Sequence, residues 1–181
     1  MRFVIFVARL LFGSRVLLYC GALTLVGIGT AAAQLPPRPI IDPAMELAAI
    51  KAASDLDDNP ADAEAVQTVC TACHSSSQFL GSPRSSSRWE QLFGEMARFG
   101  ARPTDTQVNQ IVRYFQRNLM VVNVNTSPAE ELEPTLQTGP AATSAIVMRR
   151  AQRKFTGIGD LAAIPGVDRT VLELLKDRLQ F

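Results

Sequence analysis

The sequence predicts an all-α protein with two helical domains. Helix-start signals recur along the chain, apolar residues follow them at three- and four-residue steps, and a Pro-Gly turn near the end joins two short helical segments. The pattern divides the chain into a signal peptide over residues 1–33, a proline-rich linker over 34–43, a first domain over 44–120 and a second over 121–181.

Residues 1–33 have the three parts of a secretory signal. A start that contains arginines and no acidic residue is followed by an apolar run. Small residues at Ala31 and Ala33 favour cleavage after Ala33, which predicts a periplasmic protein with no stable membrane insertion. An uncleaved N-terminal anchor is the alternative, because residues 16–33 come near the length that spans a bilayer.

Net charge limits the classes of partner. The chain has 18 Lys and Arg against 17 Asp and Glu, a net charge of +1. Removal of residues 1–33 takes away three arginines and leaves 15 basic against 17 acidic side chains, a net charge of −2. No global basic field then favours nucleic acid or an acidic membrane surface.

Two helix starts precede the cysteines of the first domain. Asp42-Pro43 and Asn59-Pro60 each place an N-cap residue before a proline, which suits the first helical position. The first pair predicts a short helix, and the second predicts a helix that runs into Cys70.

Two amphipathic helices follow a loop over residues 75–87 that is rich in Ser, Gly and Pro. Apolar residues from Trp89 to Met96 lie at helical spacing on one face of the first helix. Thr104 and Gln107 have the form of a capping box and open the second helix. Three or four helices are therefore expected in the first domain.

The run Cys70-Thr71-Ala72-Cys73-His74 carries the most specific chemistry. Two cysteines separated by two residues and followed by histidine have the spacing for a c-type haem, in which each thiol forms a thioether and the imidazole binds iron. His74 is the only histidine of the chain, so two histidines of one chain cannot ligate the iron. One covalent haem c is the predicted cofactor.

Cys70 and Cys73 have three alternative interpretations. A structural zinc site needs four ligands, and the only other cysteine, Cys20, lies in the signal peptide. A thioredoxin-like pair would follow a strand in a βαβ pattern, which does not surround these residues. A plain disulfide stays open, because the predicted compartment permits one.

A methionine is expected opposite His74. Met45 precedes the motif and Met148 lies in the second domain, which leaves Met96 and Met120. Met120 lies where the chain leaves the first domain, whereas Met96 shares a helix face with the aromatic residues of its helix. We favour Met96 as the axial ligand of the haem iron, with core filling as its alternative role.

The chain resembles the small monohaem cytochromes c of periplasmic dehydrogenase systems in the run from Cys70 to His74, Arg88-Trp89, Met96, Gly100 and the helix through Tyr114. These cytochromes include the haem subunits of sulfite dehydrogenases and the cytochrome domains of quinoprotein dehydrogenases. The likeness covers about residues 60–119 and includes a W-x6-M-x3-G helix that places the axial methionine at Met96. It implies an electron carrier, or the cytochrome subunit of a periplasmic oxidoreductase, whose partner is a dehydrogenase or a terminal acceptor.

The second domain opens with Asn123-Val124-Asn125, followed by a second capping-box pattern over residues 127–130. Gly139-Pro140 predicts a helix to about residue 154. The turn Pro165-Gly166-Val167-Asp168 then joins two short helices, the last of which is predicted to end at residue 179. Two short helices joined in this way form a helix-hairpin-helix unit.

Residues 121–181 resemble the ComEA-like helix-hairpin-helix domain of bacterial DNA-uptake receptors. A related pair of helix-hairpin-helix units, in the extrinsic U subunit of photosystem II, packs on proteins. DNA-binding hairpins of this type place the N–H groups of a Gly-rich turn on a phosphate. Here residues 136–139 lack that turn, and Asp168 stands where glycine is expected. Seven basic and seven acidic residues balance in this segment.

One basic cluster stands out in the second domain. Arg149, Arg150, Arg153 and Lys154, with Gly166 of the turn, are the candidate docking or phosphate-binding residues. A solvated helix end, where cations suit the dipole, is the alternative. No catalytic constellation is found, so we predict no enzyme. The predicted function is periplasmic electron transfer with a docking domain; the alternative is a haem-carrying helix-hairpin-helix protein that binds DNA.

Overall fold

The computed structural model describes residues 42–54 and 59–181, in which helices predominate, as predicted. The first half contains α1 (Pro43–Ala52), α2 (Pro60–Cys70), α3 (Ser86–Arg98) and α4 (Asp105–Asn118). The second contains α5 (Ala129–Leu136), α6 (Pro140–Gln152), α7 (Ile158–Ala162) and α8 (Arg169–Leu174). Strands β1 (Val122–Asn123) and β2 (Leu179–Gln180) pair in parallel.

Three predicted helix starts are confirmed by their hydrogen bonds. The Asp42 side chain accepts from the backbone N of Ala44 at 2.9 Å and begins α1. Asn59 caps α2 in the same way. At α4, the Gln107 backbone N donates to Thr104 Oγ1 at 3.3 Å, and the Thr104 backbone N donates to Gln107 Oε1 at 2.9 Å. Each cap satisfies a backbone N–H that the helix itself leaves unpaired.

Two local predictions in the second half are wrong. The capping box over residues 127–130 does not form, because Ser127 Oγ accepts from the Asn123 backbone N at 3.1 Å and α5 begins without a side-chain cap. The last helix ends at Leu174 rather than at residue 179. A short 3₁₀ turn follows, and Leu179 pairs with Val122 instead.

A single hydrophobic core joins the two predicted segments. It contains Ile50, Phe115 and Leu132, which belong to α1, α4 and α5. Helix α2 packs on α1 and α4, and α5 packs on α4 and α6. Thr135 Oγ1 also donates to the Gln116 carbonyl at 3.1 Å. The second segment therefore packs directly on α4.

The predicted signal peptide, with Cys20, and the linker up to residue 41 lie outside the described residues. Within the two described ranges, no helix combines the length and the apolar character that crossing a membrane requires.

Candidate functional site

The cysteine motif forms the end of α2 and the turn after it. Thr71 is buried, and both its backbone N and its hydroxyl donate to the Gln67 carbonyl, at 3.1 and 2.6 Å. These bonds fix the turn on the helix. Cys70 is half-buried, Cys73 is exposed, and neither sulfur is in a disulfide in the structure.

Burial raises the pKa of the Cys70 thiol to about 12. The thiolate is the nucleophilic and metal-binding form of cysteine, so a thiol that stays protonated at neutral pH disfavours a reactive redox pair. Across residues 42–54 and 59–181, no group of three or more His, Cys, Asp and Glu side chains could hold a metal ion.

One ring nitrogen of His74 has a partner within the turn. Its Nδ1 lies 3.2 Å from the Ser75 carbonyl oxygen, and its ring meets Phe79 edge-on, with centroids 6.2 Å apart. A carbonyl can only accept, so this hydrogen bond needs a proton on Nδ1, and the neutral imidazole then keeps its lone pair on Nε2. Nε2 is the atom that would bind iron.

Glu46 of α1 reaches the same turn, and sequence analysis did not single it out. Its Oε1 accepts from the Ser75 hydroxyl at 2.8 Å, and its Oε2 accepts from the Ser76 backbone N at 2.7 Å. Hydrogen bonds from Ser76, and then from Ser75, hold the pKa of Glu46 below its usual value. No sequence pattern marks this contact, because packing between distant segments creates it.

Helix α3 carries an apolar face that is only partly covered. Trp89 is buried, and its Nε1 donates to the Leu119 carbonyl at 3.0 Å. Further along this face, Phe93 and Met96 remain half-buried. Among the described helices of this half, α2 packs closely on α1 and on α4, whereas the backbone of α3 comes as close to none of them.

Aromatic rings connect this face to α4. Phe115 meets Trp89 and Phe93 edge-on, at centroid distances of 4.7 and 5.0 Å. Val108 and Val112 continue the Phe115 stripe at helical spacing, and they are 41% and 37% exposed. An apolar surface therefore extends over α3 and α4 and stays partly open to solvent.

Met120, the other candidate ligand, occupies a different setting. Its side chain is buried in the core, and its backbone forms a bridge with Arg84. Its carbonyl oxygen accepts from Arg178 at 3.4 Å. Met120 thus lies where the two segments join, whereas Met96 lies on the half-covered face of α3.

Two of the four clustered cations are used inside the second segment. The Arg150 guanidinium donates to the carbonyls of Val124 at 3.0 Å and Ser127 at 2.6 Å. The Arg149 guanidinium lies 5.6 Å from the centroid of the Phe155 ring. Both arginines are half-buried, so they hold the fold together at this point.

Arg153 and Lys154 are the exposed members of the cluster. The Arg153 guanidinium is 3.9 Å from the Asp160 carboxylate, in a pair whose arginine side chain is 70% exposed. Of the four clustered cations, these two are the ones that the structure leaves accessible to a partner.

The predicted phosphate turn has a packing role. Gly166 has a φ of +86°, and a Cβ there would lie 3.2 Å from the Cβ of Ala142 in α6. The left-handed backbone and this close approach both favour glycine. Asp168 accepts from the Thr170 backbone N at 2.7 Å and caps α8.

Comparisons with protein families, with curated proteins and with solved structures found no match. The donor atoms of the chain define the candidate site. Free sulfurs are carried by Cys70 at the end of α2 and by Cys73 in the turn after it. His74 can offer Nε2, and Met96 offers a thioether on a half-covered apolar face. These groups fit the attachment and axial ligation that one haem c requires.

Proposed function

We propose that this protein is a periplasmic electron carrier of the c-type cytochrome class. Residues 44–120 would form the monohaem domain, with thioethers to Cys70 and Cys73. The observation that carries the proposal is the pair of free thiols at the end of α2 and in the turn after it, directly followed by His74, whose Nδ1 is held by the Ser75 carbonyl. When bound, the haem iron supplies one-electron redox chemistry.

The chain's own residues would hold and enclose the group. Thr71 fixes the attachment turn on α2, and the Ser75 carbonyl orients the His74 ring. The half-covered face of α3 would bury apolar surface against the group, and Met96 on this face would be a ligand of its iron. A thioether ligand there raises the reduction potential relative to a second imidazole.

The test is expression of the full chain with a c-type haem-attachment system. The mass of the denatured protein should increase by one haem, and the colour should survive acid–acetone extraction, because thioethers are covalent. Cys73→Ser should lose one of the two bonds and show an altered pyridine haemochrome spectrum. Haem that is extracted from the unsubstituted protein would refute the proposal.

We also propose that residues 121–181, the helix-hairpin-helix segment, help to dock the redox partner. Arg153 and Lys154 are the exposed cations of this segment's cluster. Their double substitution by Ala should slow electron exchange with the co-purifying periplasmic redox protein, most at low salt. Arg169→Ala, also exposed, is the control for loss of charge elsewhere.

DNA binding is the competing outcome for residues 121–181. The Arg150 guanidinium binds backbone carbonyls within the fold, and the Asp168 carboxylate at the turn would repel a phosphate. We therefore expect weak duplex binding by the full chain at physiological salt. Micromolar or tighter binding that is lost on changing residues 165–168 would favour the DNA-binding alternative.

A further inference from the structure

One peptide group lies between Glu46 and His74. Its carbonyl, that of Ser75, accepts from His74 Nδ1 at 3.2 Å. Its N–H, that of Ser76, donates to Glu46 Oε2 at 2.7 Å. Because the Ser75 carbonyl and the Ser76 N–H belong to the same amide, carboxylate, amide and imidazole form one continuous chain of hydrogen bonds.

The negative charge of Glu46 polarises this series of hydrogen bonds from the carboxylate toward the imidazole. Hydrogen bonds to a carboxylate are short and strong, and the 2.7 Å contact has the length of a charge-assisted bond. Such a bond polarises the amide and makes the Ser75 oxygen a stronger acceptor. A stronger acceptor at Nδ1 raises the electron-donating power of the imidazole at Nε2.

A second contact helps to separate electronic from structural effects. The Ser75 hydroxyl donates to Glu46 Oε1 at 2.8 Å and fastens α1 to the turn. This bond is not part of the series of hydrogen bonds that runs through the Ser75–Ser76 peptide. The hydrogen bonds from Ser76 and Ser75 also lower the pKa of Glu46, so its carboxylate stays charged at neutral pH.

We propose that Glu46 is a positioning residue that acts on His74 through the Ser75–Ser76 peptide. It holds the imidazole with its proton on Nδ1 and strengthens donation from Nε2. The effect on iron rests on the proposed haem function: a stronger donor stabilises the ferric state and lowers the reduction potential. The effect on the imidazole itself requires no haem.

The first measurement compares Glu46→Gln with Ser75→Ala in the full chain by spectroelectrochemistry. Glutamine keeps the size of the side chain and removes its charge. Ser75→Ala removes the hydroxyl bond to Glu46, together with the contacts of that hydroxyl with Ser77, and keeps both the carboxylate and the peptide. At the midpoint potential of the unsubstituted protein, Glu46→Gln should raise the ratio of reduced to oxidised protein about twofold. Ser75→Ala should leave this ratio unchanged, although it also removes a hydrogen bond to α1.

A second charge-removing variant separates an effect transmitted by hydrogen bonds through the Ser75–Ser76 peptide from an electrostatic effect transmitted through solvent. Glu95 accepts from Gln91 at 3.0 Å on α3 and is next to Met96 in the chain. Any effect of Glu95→Gln should disappear at 1 M salt, where the screening length is about 3 Å. The effect of Glu46→Gln should persist there, since hydrogen bonds carry it.

The second measurement works with or without haem. In the protein as isolated, and reduced so that any haem is diamagnetic, ¹⁵N NMR reports the Ser76 amide and His74 Nδ1. Glu46→Gln should move both proton signals upfield, whereas Ser75→Ala should leave the Nδ1 signal in place. An unsubstituted chain without haem would refute the proposed function, and these signals would still test the Glu46 contact.

Two results would overturn the inference. One is Glu46→Gln protein with an unchanged Nδ1 signal. The other is equal changes in Glu46→Gln and Ser75→Ala, which would reduce Glu46 to a purely structural contact between α1 and the turn.

Discussion

At the scale of single residues, the ion pair between Asp62 and Arg113 connects the two best-packed helices. Asp62 lies in the first turn of α2 and is fully buried. Arg113 of α4 donates to both of its oxygens, from Nε at 3.1 Å and from a terminal nitrogen at 2.6 Å. The bidentate geometry and the helix N-terminus both stabilise the carboxylate. The pair thus fastens the helix that carries the cysteines.

Arg113→Ala should lower the free energy of unfolding by about 2 kcal/mol, because it leaves the Asp62 carboxylate buried and unpaired. The cost falls below that of a fully buried pair, since the Arg113 side chain is 45% exposed. Arg169→Ala, in an exposed pair with a 3.9 Å contact, should cost no more than about 0.5 kcal/mol. Denaturant titrations compare the two, and equal losses would contradict the role of the Asp62 pair.

A second residue-scale prediction concerns acid stability. The Thr156 hydroxyl and backbone N donate to Asp160, at 2.7 and 3.1 Å, and lower the pKa of Asp160 from 3.8. A lowered pKa stabilises the fold above pH 3.8, and this contribution is lost as pH falls through the folded pKa. Asp160→Asn should therefore make Tm fall less steeply as the pH is lowered below 3.8. Thr156→Val removes one of the two donors, so it should reduce the dependence of Tm on pH in part. Curves of Tm against pH that run parallel in the unsubstituted protein and in Asp160→Asn would contradict the prediction.

At the scale of elements, α3 differs from the other helices of the first half. Trp89 anchors its first turns to the Leu119 carbonyl, but its further apolar residues remain half-buried. An amphipathic helix needs a partner for its apolar stripe. In the proposed cytochrome, this stripe would pack against the haem, and Met96 would be a ligand of the iron.

Met96→Ala should abolish the weak near-infrared sulfur-to-iron band of the oxidised protein and lower its reduction potential. Met120→Ala should leave the band and instead lower the free energy of unfolding by about 2 kcal/mol or more, because Met120 is buried in the core. Near-infrared absorption and denaturant titration of both variants check this. Loss of the band only in Met120→Ala would assign the ligand to Met120.

At the scale of the whole molecule, the C-terminal residues complete the packing of the first half. Arg178 is buried and donates to the carbonyls of Arg117 and Met120, at 2.5 and 3.4 Å. Next to it, Leu179 pairs with Val122. These contacts couple the end of the chain to the end of α4, so we expect the described residues to unfold together.

Arg178→Ala should lower the free energy of unfolding by about 2 kcal/mol, because it leaves two carbonyls at the junction without their donor. Fluorescence of Trp89, the single tryptophan, reports the first half, and far-UV circular dichroism reports the whole chain. Both transitions should coincide and shift together. Lys176→Ala, at an exposed neighbouring position, should have little effect. Separate transitions would show that the halves unfold independently.

Much of the helical pattern could be predicted because its causes are local. The caps at Asp42, Asn59 and Thr104 depend on residues two or three positions away, and all three form. The capping box over residues 127–130 failed because Ser127 binds the Asn123 backbone N instead. Competition of this kind between two local partners is not visible in a pattern of residue types.

For the candidate site, the sequence alone determined which groups could attach a haem, since the two sulfurs and the imidazole are neighbours in the chain. Only the tertiary structure decided what surrounds them. Packing of α1 brings Glu46 onto the Ser75–Ser76 peptide, and packing of α6 turns Arg150 from a surface cation into a donor to backbone carbonyls. Such contacts join residues 23 to 30 positions apart, and their formation depends on the burial of the whole core rather than on any local propensity.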